Sequence, residues 1–300
     1  MEKRIKRFLP AIIVVGCVCV ALLVAGFVSV RDDGIPVLMY HHLVPDDVYE
    51  EMNCQDNGAV VKLSDFSSQM NWLHDNGYNT IFVSELVDLV KSEEELPPKT
   101  VVITFDDGYE SNYVYAYPIL RSLGMKANLA PVIKETQKRE KSGEPFDDKK
   151  QPHVTFKEMK AMEDSGVFEI GSHSYNGHWQ INVDMKGKTD AFFVNRKVNT
   201  KSGHKETREE YLMRINRDIV TSKIILDEKL GNEQRYFVYP YGRCNKDLCM
   251  VVEKAGFSCA FTTQAGYVNK HSDLYRLPRL AVNKKVKNLD DFIDMVEGQG

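Results

Sequence analysis

The sequence predicts an α/β fold built on a mainly parallel sheet or barrel, and three observations predict it. Short apolar runs alternate with helical spacings along almost the whole chain after residue 34, with turns of a few residues between them. The run Thr100–Phe105 (TVVITF) is apolar or β-branched throughout, as a strand covered on both faces requires. Three of the runs end in polar, glycine-containing segments, and such strand ends are where α/β folds gather their chemistry.

Each element follows in order. Ile35–Tyr40 reads as a short buried strand and the acidic stretch 46–58 as a loop. Ser64 caps a helix with Phe66, Met70 and Leu73 at helical spacing, and Gly77 ends it. Thr80–Val83 is a strand, Ser84–Lys91 a helix, and Pro97-Pro98 breaks the chain before the strand at Thr100. Tyr113–Leu123 is helical and Ala127–Val132 a strand, while the charged stretch 134–151 reads as an exposed loop. Thr155 with Glu158 forms a capping box for a helix to Ser165, closed by Gly166, before a strand at Phe168–Ile170. Residues 180–206 are a polar, irregular insertion. Thr207 and Glu210 open a long helix to about Leu230. Tyr236–Tyr239 is a strand, Asn245–Ala255 a helix ended by Gly256, and Cys259–Thr262 the last strand assigned.

The 300 residues suffice for one large domain or two small ones at the usual ~100–200 residues each. With 43% hydrophobic and 27% charged residues, disordered, collagen-like and wholly membrane-embedded chains are excluded. The net charge of −4 hides an asymmetry: residues 1–7 carry four cations against Glu2, which leaves an acidic body. That argues against a nucleic-acid partner, since phosphate binding needs a basic surface. Six cysteines without a CxxC pair are no disulfide scaffold; the four beyond residue 30 are expected as buried thiols with at most one bridge.

Phe8 to Val30 is 23 residues without Asp, Glu, Lys or Arg. As a helix it would be roughly 34 Å long, enough to cross about 30 Å of hydrocarbon. The run is longer than the apolar part of a signal peptide and no clean A-x-A precedes Arg31. Val14-Val15-Gly16-Cys17 suggests a lipoprotein signal, but cleavage there would leave Val18–Val30 on the mature chain. A buried core helix fits neither the length nor the position. The expected organisation is a cytoplasmic basic tail (1–7), an uncleaved single-pass membrane anchor (8–30) and an extracytoplasmic domain (31–300).

The polar strand ends carry the candidate chemistry. Thr100–Phe105 runs into Asp106-Asp107-Gly108, and Phe168–Ile170 into a segment holding His173 and His178. Adjacent carboxylates after a buried strand are costly unless they bind a cation or are otherwise paired. One carboxylate with two imidazoles suits zinc or a related divalent metal with open positions, and leaves the second carboxylate free as a base. Alone, an Asp-Asp-Gly is often only a turn and a histidine pair often chance. Together at the strand ends of one domain they are far more specific.

Thr104-Phe105-Asp106-Asp107-Gly108, His173-Ser174-x-x-x-His178 and Tyr239-Pro240-Tyr241-Gly242 resemble, in order and spacing, three motifs of the NodB-homology polysaccharide deacetylases (carbohydrate esterase family 4). The resemblance spans roughly residues 35–285. It implies a distorted (β/α) barrel and a divalent metal, most often zinc, with cobalt, nickel or manganese as alternatives. It also implies Asp107, His173 and His178 as metal ligands, Asp106 as the base that activates water, and the Tyr241 N–H as a donor to the oxyanion. Where the family usually has an arginine two residues before the third-motif proline, this chain has Val238, and the usual C-terminal Leu-x-His is replaced by Leu277-Pro278-Arg279-Leu280. In a branch resembling the exported poly-N-acetylglucosamine deacetylases, with rearranged motifs, the acid histidine follows the first strand. Tyr40-His41-His42 stands there, so His41 is expected as the acid, facing the metal opposite Asp106, with His42 as a structural neighbour. Arg279 is the candidate to replace the missing arginine beside Asp106. His74, His153, His204 and His271 are expected at the surface.

The resemblance implies a metal-dependent hydrolase that removes N-acetyl groups from a cell-envelope N-acetylhexosamine polymer, peptidoglycan or poly-N-acetylglucosamine. Two alternatives stand beside it: a glycan-binding protein that has lost catalysis, and an O-acetyl esterase. The retained Asp106 speaks against the first, because a binding module needs no base beside a metal. No protein partner follows from the sequence.

Overall fold

The computed structural model describes residues 34–298. The tail and anchor assigned to residues 1–30 lie outside the described residues, and among the described residues no helix is long and apolar enough to cross a membrane.

The chain opens with β1 (Val37–Tyr40) and β2 (His42–Val44), separated at His41. The acidic stretch read as a loop starts as helix α1 (Asp46–Glu51), whose first turn holds Asp46 and Asp47, where a helix N-terminus favours negative charge. It buries no residue, so no apolar period announces it. β3 (Val60–Lys62) leads into α2 (Leu63–Asp75). Ser64 is inside this helix and not its cap; its hydroxyl donates to the Asp46 carboxylate at 2.6 Å. The strand expected over 80–83 shrinks to β4 (Asn79–Thr80), because α3 (Val83–Lys91) already begins there, with Glu85 reaching back to the Phe82 N–H at 2.7 Å.

β5 (Thr100–Asp107) runs two residues beyond the expected apolar strand and so includes both carboxylates. The helix expected from Tyr113 begins as a π-turn at Asn112–Ala116 and becomes α4 (Tyr117–Ser122), where Pro118 lacks the N–H a continuous ladder needs. β6 (Ala127–Pro131) follows. The charged stretch read as a loop contains helix α5 (Ile133–Ser142), ended by Gly143 at φ 60°. Its Lys, Glu, Gln and Arg are good helix formers, but only Ile133 and Thr136 are buried, too few to set up a period. α6 (Phe156–Asp164) is capped by Thr155 as expected, and β7 (Phe168–Ile170) follows. The insertion holds an antiparallel hairpin, β8 (Gln180–Asn182) and β9 (Thr189–Ala191). The Thr207–Glu210 box opens α7 (Arg208–Leu230). β10 (Tyr236–Val238), α8 (Lys246–Lys254), β11 (Cys259–Phe261), β12 (Leu280–Ala281) and α9 (Leu289–Glu297) complete the chain.

The main sheet is parallel, in the order β12-β1-β5-β6-β7 with β4 beside the start of β5. Single bridges carry it further: Ser172 to Phe237 joins the end of β7 to the parallel pair β10–β11, and Phe261 to Leu277 returns towards β12. The strands thus close into a distorted barrel, continuous hydrogen bonding on one side and single bridges on the other. Outside it, Tyr40, Phe66 and Phe105 pack at ring separations of 5.3–5.8 Å and bury β1, β5 and α2 together. Cys54, Cys244, Cys249 and Cys259 are free thiols, the first and last of them buried.

Candidate metal centre and active site

The site begins with the alternation of β5. Thr104 and Asp106 share a strand face, and both meet Arg279 at the entry to β12. The guanidinium donates to Asp106 Oδ1 and Oδ2 at 2.7 Å each, to Thr104 Oγ1 at 3.2 Å and, through Nε, to the Thr262 carbonyl at 3.0 Å. Asp106 and Arg279 are 2% and 1% exposed, so this is a buried bidentate ion pair. Burial alone would raise the Asp106 pKa, but the charge and hydrogen bonds of Arg279 hold it well below the usual carboxylate range.

The strand then turns sharply. Asp107 lies at φ 66° and Gly108 at φ 77°. A Cβ on Gly108 would stand 2.6 Å from the Pro131 Cβ, so only glycine fits. This turn swings Asp107 away from Arg279 towards two imidazoles. Its Oδ1 lies 3.4 Å from His173 Nε2 and 3.5 Å from His178 Nε2, and the rings are 4.9 Å apart. One ligand atom from each of the three residues falls within 4.8 Å of the others. Asp107 Oδ1 is buried without a hydrogen-bond partner, and the Tyr109 hydroxyl hydrogen-bonds the same carboxylate. His173 Nδ1 meets the Val238 carbonyl at 2.9 Å, which places its proton there and turns the Nε2 lone pair to Asp107. Burial, opposed by Asp106, lowers the His173 pKa to about 4, so the ring is neutral as a ligand must be. The orphaned acceptor and the neutral imidazole fit a divalent cation.

The loop carrying both histidines is held from α7. Asp218 accepts from the backbone N–H of Tyr175 at 2.8 Å and of Asn176 at 2.9 Å, and Ser172 and Ser222 hydroxyls meet at 2.8 Å. Burial pushes the Asp218 pKa up to about 6 against those two hydrogen bonds.

The other expected site residues surround this cluster. His41 is half-buried with Nε2 3.9 Å from Asp106 Oδ2. It therefore sits beside Asp106 and not opposite it, because β1 and β5 are paired neighbours with Tyr40 level with Phe105. His42 is 1% exposed, bonded to Ser111 Oγ at 2.9 Å and packed on Tyr109. Tyr241 occupies the left-handed region at φ 59°, its ring 4.6 Å from that of His178, and its N–H donates no hydrogen bond among the described residues.

His153 corrects the surface expectation. It is half-buried, its ring 5.1 Å from that of Tyr109, in a cleft of about 420 Å3 that also exposes Asp107, His178 and Trp179. An isolated bridge between Tyr109 and His153 delivers it there, and nothing in the polar stretch around it signals this. Tyr109 was legible in principle, since it directly follows the Asp-Asp-Gly. His74, His204 and His271 are exposed as expected.

The polysaccharide deacetylase family profile matches residues 93–260, more than half of the chain. The chain belongs to this family. It is 31% identical over 239 residues to the poly-beta-1,6-N-acetyl-D-glucosamine N-deacetylase of Escherichia coli K12, covering 77% of this chain and 35% of that protein. It thus spans about a third of the length of that relative. The Staphylococcus aureus MRSA252 protein of the same name is 26% identical over 223 residues, 74% of this chain and 68% of the relative. Among solved structures, a de-N-acetylase from Aggregatibacter actinomycetemcomitans superposes with a TM-score of 0.75 at 26% identity, covering 88% of this chain and all of that one. The family and the closed α/β barrel agree with the expectation from the three motifs.

Proposed function

We propose that this chain is a metal-dependent N-deacetylase that acts on N-acetylhexosamine residues of a cell-envelope polysaccharide. The observation that carries the reading is the pairing of a buried, partnerless Asp107 oxygen and two imidazoles with an Arg-clamped carboxylate next door. Asp107, His173 and His178 would hold the ion, zinc in the first instance because one carboxylate and two imidazoles suit it. Such an ion, when bound, polarises the acetamide carbonyl and acidifies the attacking water.

The chain's own groups do the rest. Asp106, kept ionised by Arg279, accepts the proton of the water at a carboxylate oxygen. A bound ion would acidify that water, which would offset the low basicity that Arg279 imposes on the carboxylate. The free N–H of Tyr241 donates to the oxygen that gains charge as the acetyl carbon becomes tetrahedral. His41 donates a proton to the departing amine, which makes this chain one of the branch in which the acid follows the first strand. The names of the E. coli and S. aureus relatives support poly-N-acetylglucosamine as the glycan, and the uncharged run at 8–30 supports a membrane anchor with the domain outside.

The test is acetate release by the purified full chain from N-acetylated oligosaccharides and from O-acetylated xylan, each with and without chelator. Release from the N-acetylated substrates, lost with chelator and restored by zinc, is expected. Release from the O-acetylated substrate alone would overturn the reading.

A further inference from the structure

A second reactive pair lies just past the third motif. Asn245 caps α8, its side chain accepting from the Leu248 N–H at 2.8 Å and donating to the Val194 carbonyl at 3.3 Å. Cys244 therefore stands just before the cap, and Cys249 is the fourth residue of the helix. Residues in those two positions pack on each other at helix starts and are ordinarily apolar. Here the contact is made by two thiols, which hydrogen-bond one another. Both are half-buried free cysteines at the edge of the cluster that holds Tyr239, Leu248 and Phe257. Cys54 and Cys259 are buried in two other clusters of the core, neither of which holds a second described cysteine.

The surroundings make Cys249 the more reactive of the two. Its Sγ lies 3.5 Å from the Tyr239 hydroxyl and 3.6 Å from the Tyr275 carbonyl, and the Arg276 side chain hydrogen-bonds it. The hydrogen bond from Cys244, with those from Tyr239 and Arg276 behind it, lowers the Cys249 pKa against the opposing effect of burial. Cys244 moves the other way, raised by the same hydrogen bond and by burial. One thiol is thus prepared to attack and the other to follow. The pair is also joined to the site. Only Arg243 separates Cys244 from the turn Pro240–Gly242, in which Tyr241 holds φ 59°.

We propose that Cys244 and Cys249 are a redox pair, closed to a reversible disulfide by a small-molecule or protein disulfide, which clips the turn carrying Tyr241 to the first turn of α8. The Cys249 thiolate attacks one sulfur of the oxidant, whose S–S bond breaks to give a mixed disulfide and a leaving thiolate. Cys244 gives up its proton and attacks the Cys249 sulfur, which forms the internal bond and releases the second thiolate. The two thiol protons end on the two released thiols, so two protein thiols are oxidised and one disulfide is reduced. The clip replaces a packing contact by a covalent bond and leaves Asp107, His173 and His178 untouched. It is a bond of the kind that persists outside the cytoplasm, where the anchor proposed for residues 8–30 would hold the domain. The proposal stands apart from the deacetylase reading and does not need it.

The experiment equilibrates the full chain in detergent with mixtures of oxidised and reduced glutathione, quenches with acid, alkylates the remaining thiols and maps the tryptic peptides. Lys246 lies between the two cysteines, so the disulfide links the peptide 244–246 to the peptide 247–254. That link is expected to appear as the oxidised share rises and to vanish when reduced glutathione is restored, while Cys54 and Cys259 are alkylated throughout once the chain is unfolded. Closing so short a loop should raise the Tm by about 5 °C. The rise should be absent from Cys249→Ser and from Cys244→Ala. In Cys244→Ala the reaction should stop at a glutathione adduct on Cys249, which identifies the attacking thiol. No 244–249 link in oxidised glutathione, a stable glutathione adduct on Cys249 of the wild-type chain, or a link that leaves the Tm unchanged would each overturn the clip. The mapping of the wild-type chain needs no variant to fold, and none of these readouts uses acetate release, so failure of the clip and failure of the deacetylase reading are separate results.

Discussion

Asp106 and Asp107 are consecutive residues at one strand end, and their surroundings could hardly differ more. Asp106 faces inward to Arg279, with both oxygens satisfied and its charge neutralised. Asp107 is turned outward by two left-handed residues, with one oxygen left bare opposite two imidazoles. Neighbouring buried carboxylates cannot both stay ionised without compensation. The protein meets that constraint with a permanent cation, Arg279, beside one and with two imidazoles facing the other. The same residue type is thereby given two opposite settings by environment alone, as the proposed roles of base and metal ligand require.

The largest effects should come from exchanging those two environments. Asp107→Ala should lose the metal by elemental analysis and leave acetate release at background. Asp106→Asn should keep the metal and lose about 10²–10⁴-fold in turnover, as removal of a general base does. Metal loss from Asp106→Asn, or retention in Asp107→Ala, would erase the contrast. Next, Arg279→Met should leave Asp106 buried and unpaired, which costs about 3–5 kcal/mol and is measurable by urea denaturation. The double change Arg279→Met with Asp106→Asn should recover part of that loss, and equal stability of the single and double variants would show that the pair is not what matters. His41→Ala should reduce turnover by about 10², the low end for a general acid, with metal content and stability near wild type.

The smallest effect concerns the support of the histidine loop. The folded Asp218 carboxyl keeps its proton to about pH 6, against a model value of 3.8, so the native state binds the extra proton between those values. This group's contribution to stability is therefore fully present below about pH 4 and lost as pH rises to about 6, by ~2–3 kcal/mol. Asp218→Asn should remove that component from melting curves recorded between pH 4 and 7. An unchanged pH dependence would mean that burial does not perturb this group.

What could be read in the sequence was what lies next to a strand end. Asp106 and Asp107 follow a buried apolar run directly, and His173 and His178 lie in the loop that leaves another, so the ends of the strands place all four on one rim. Arg279 could be only a candidate, because its role depends on a side chain reaching 173 residues back along the chain to Asp106. His153 could not be found, since one bridge to Tyr109 draws it in from a polar stretch. Val238, which stands where the family usually has an arginine, contributes through its backbone instead: its carbonyl touches His173, a contact that no side-chain motif announces. Helix α5 and the β8–β9 hairpin were missed because charged surface elements carry propensity without a buried stripe.

The two ends of the barrel are also unlike. A cavity of about 480 Å3 is lined by Gly34, Pro36, Thr100 and Glu297, at the starts of strands and beside both ends of the described chain. The reacting residues sit at the opposite rim, and the eight residues of β5 between them span about 26 Å. Any tether that enters at Gly34 therefore holds the domain by its base, with the mouth pointing outward. Tilting about such a foot sweeps the cleft over an arc rather than pressing it against the point of attachment. With the anchor proposed for residues 8–30, the reach of the cleft would be set by the tether plus the height of the barrel, and lengthening or shortening the segment before Gly34 should change which layer of a surrounding polymer is reached without touching the site.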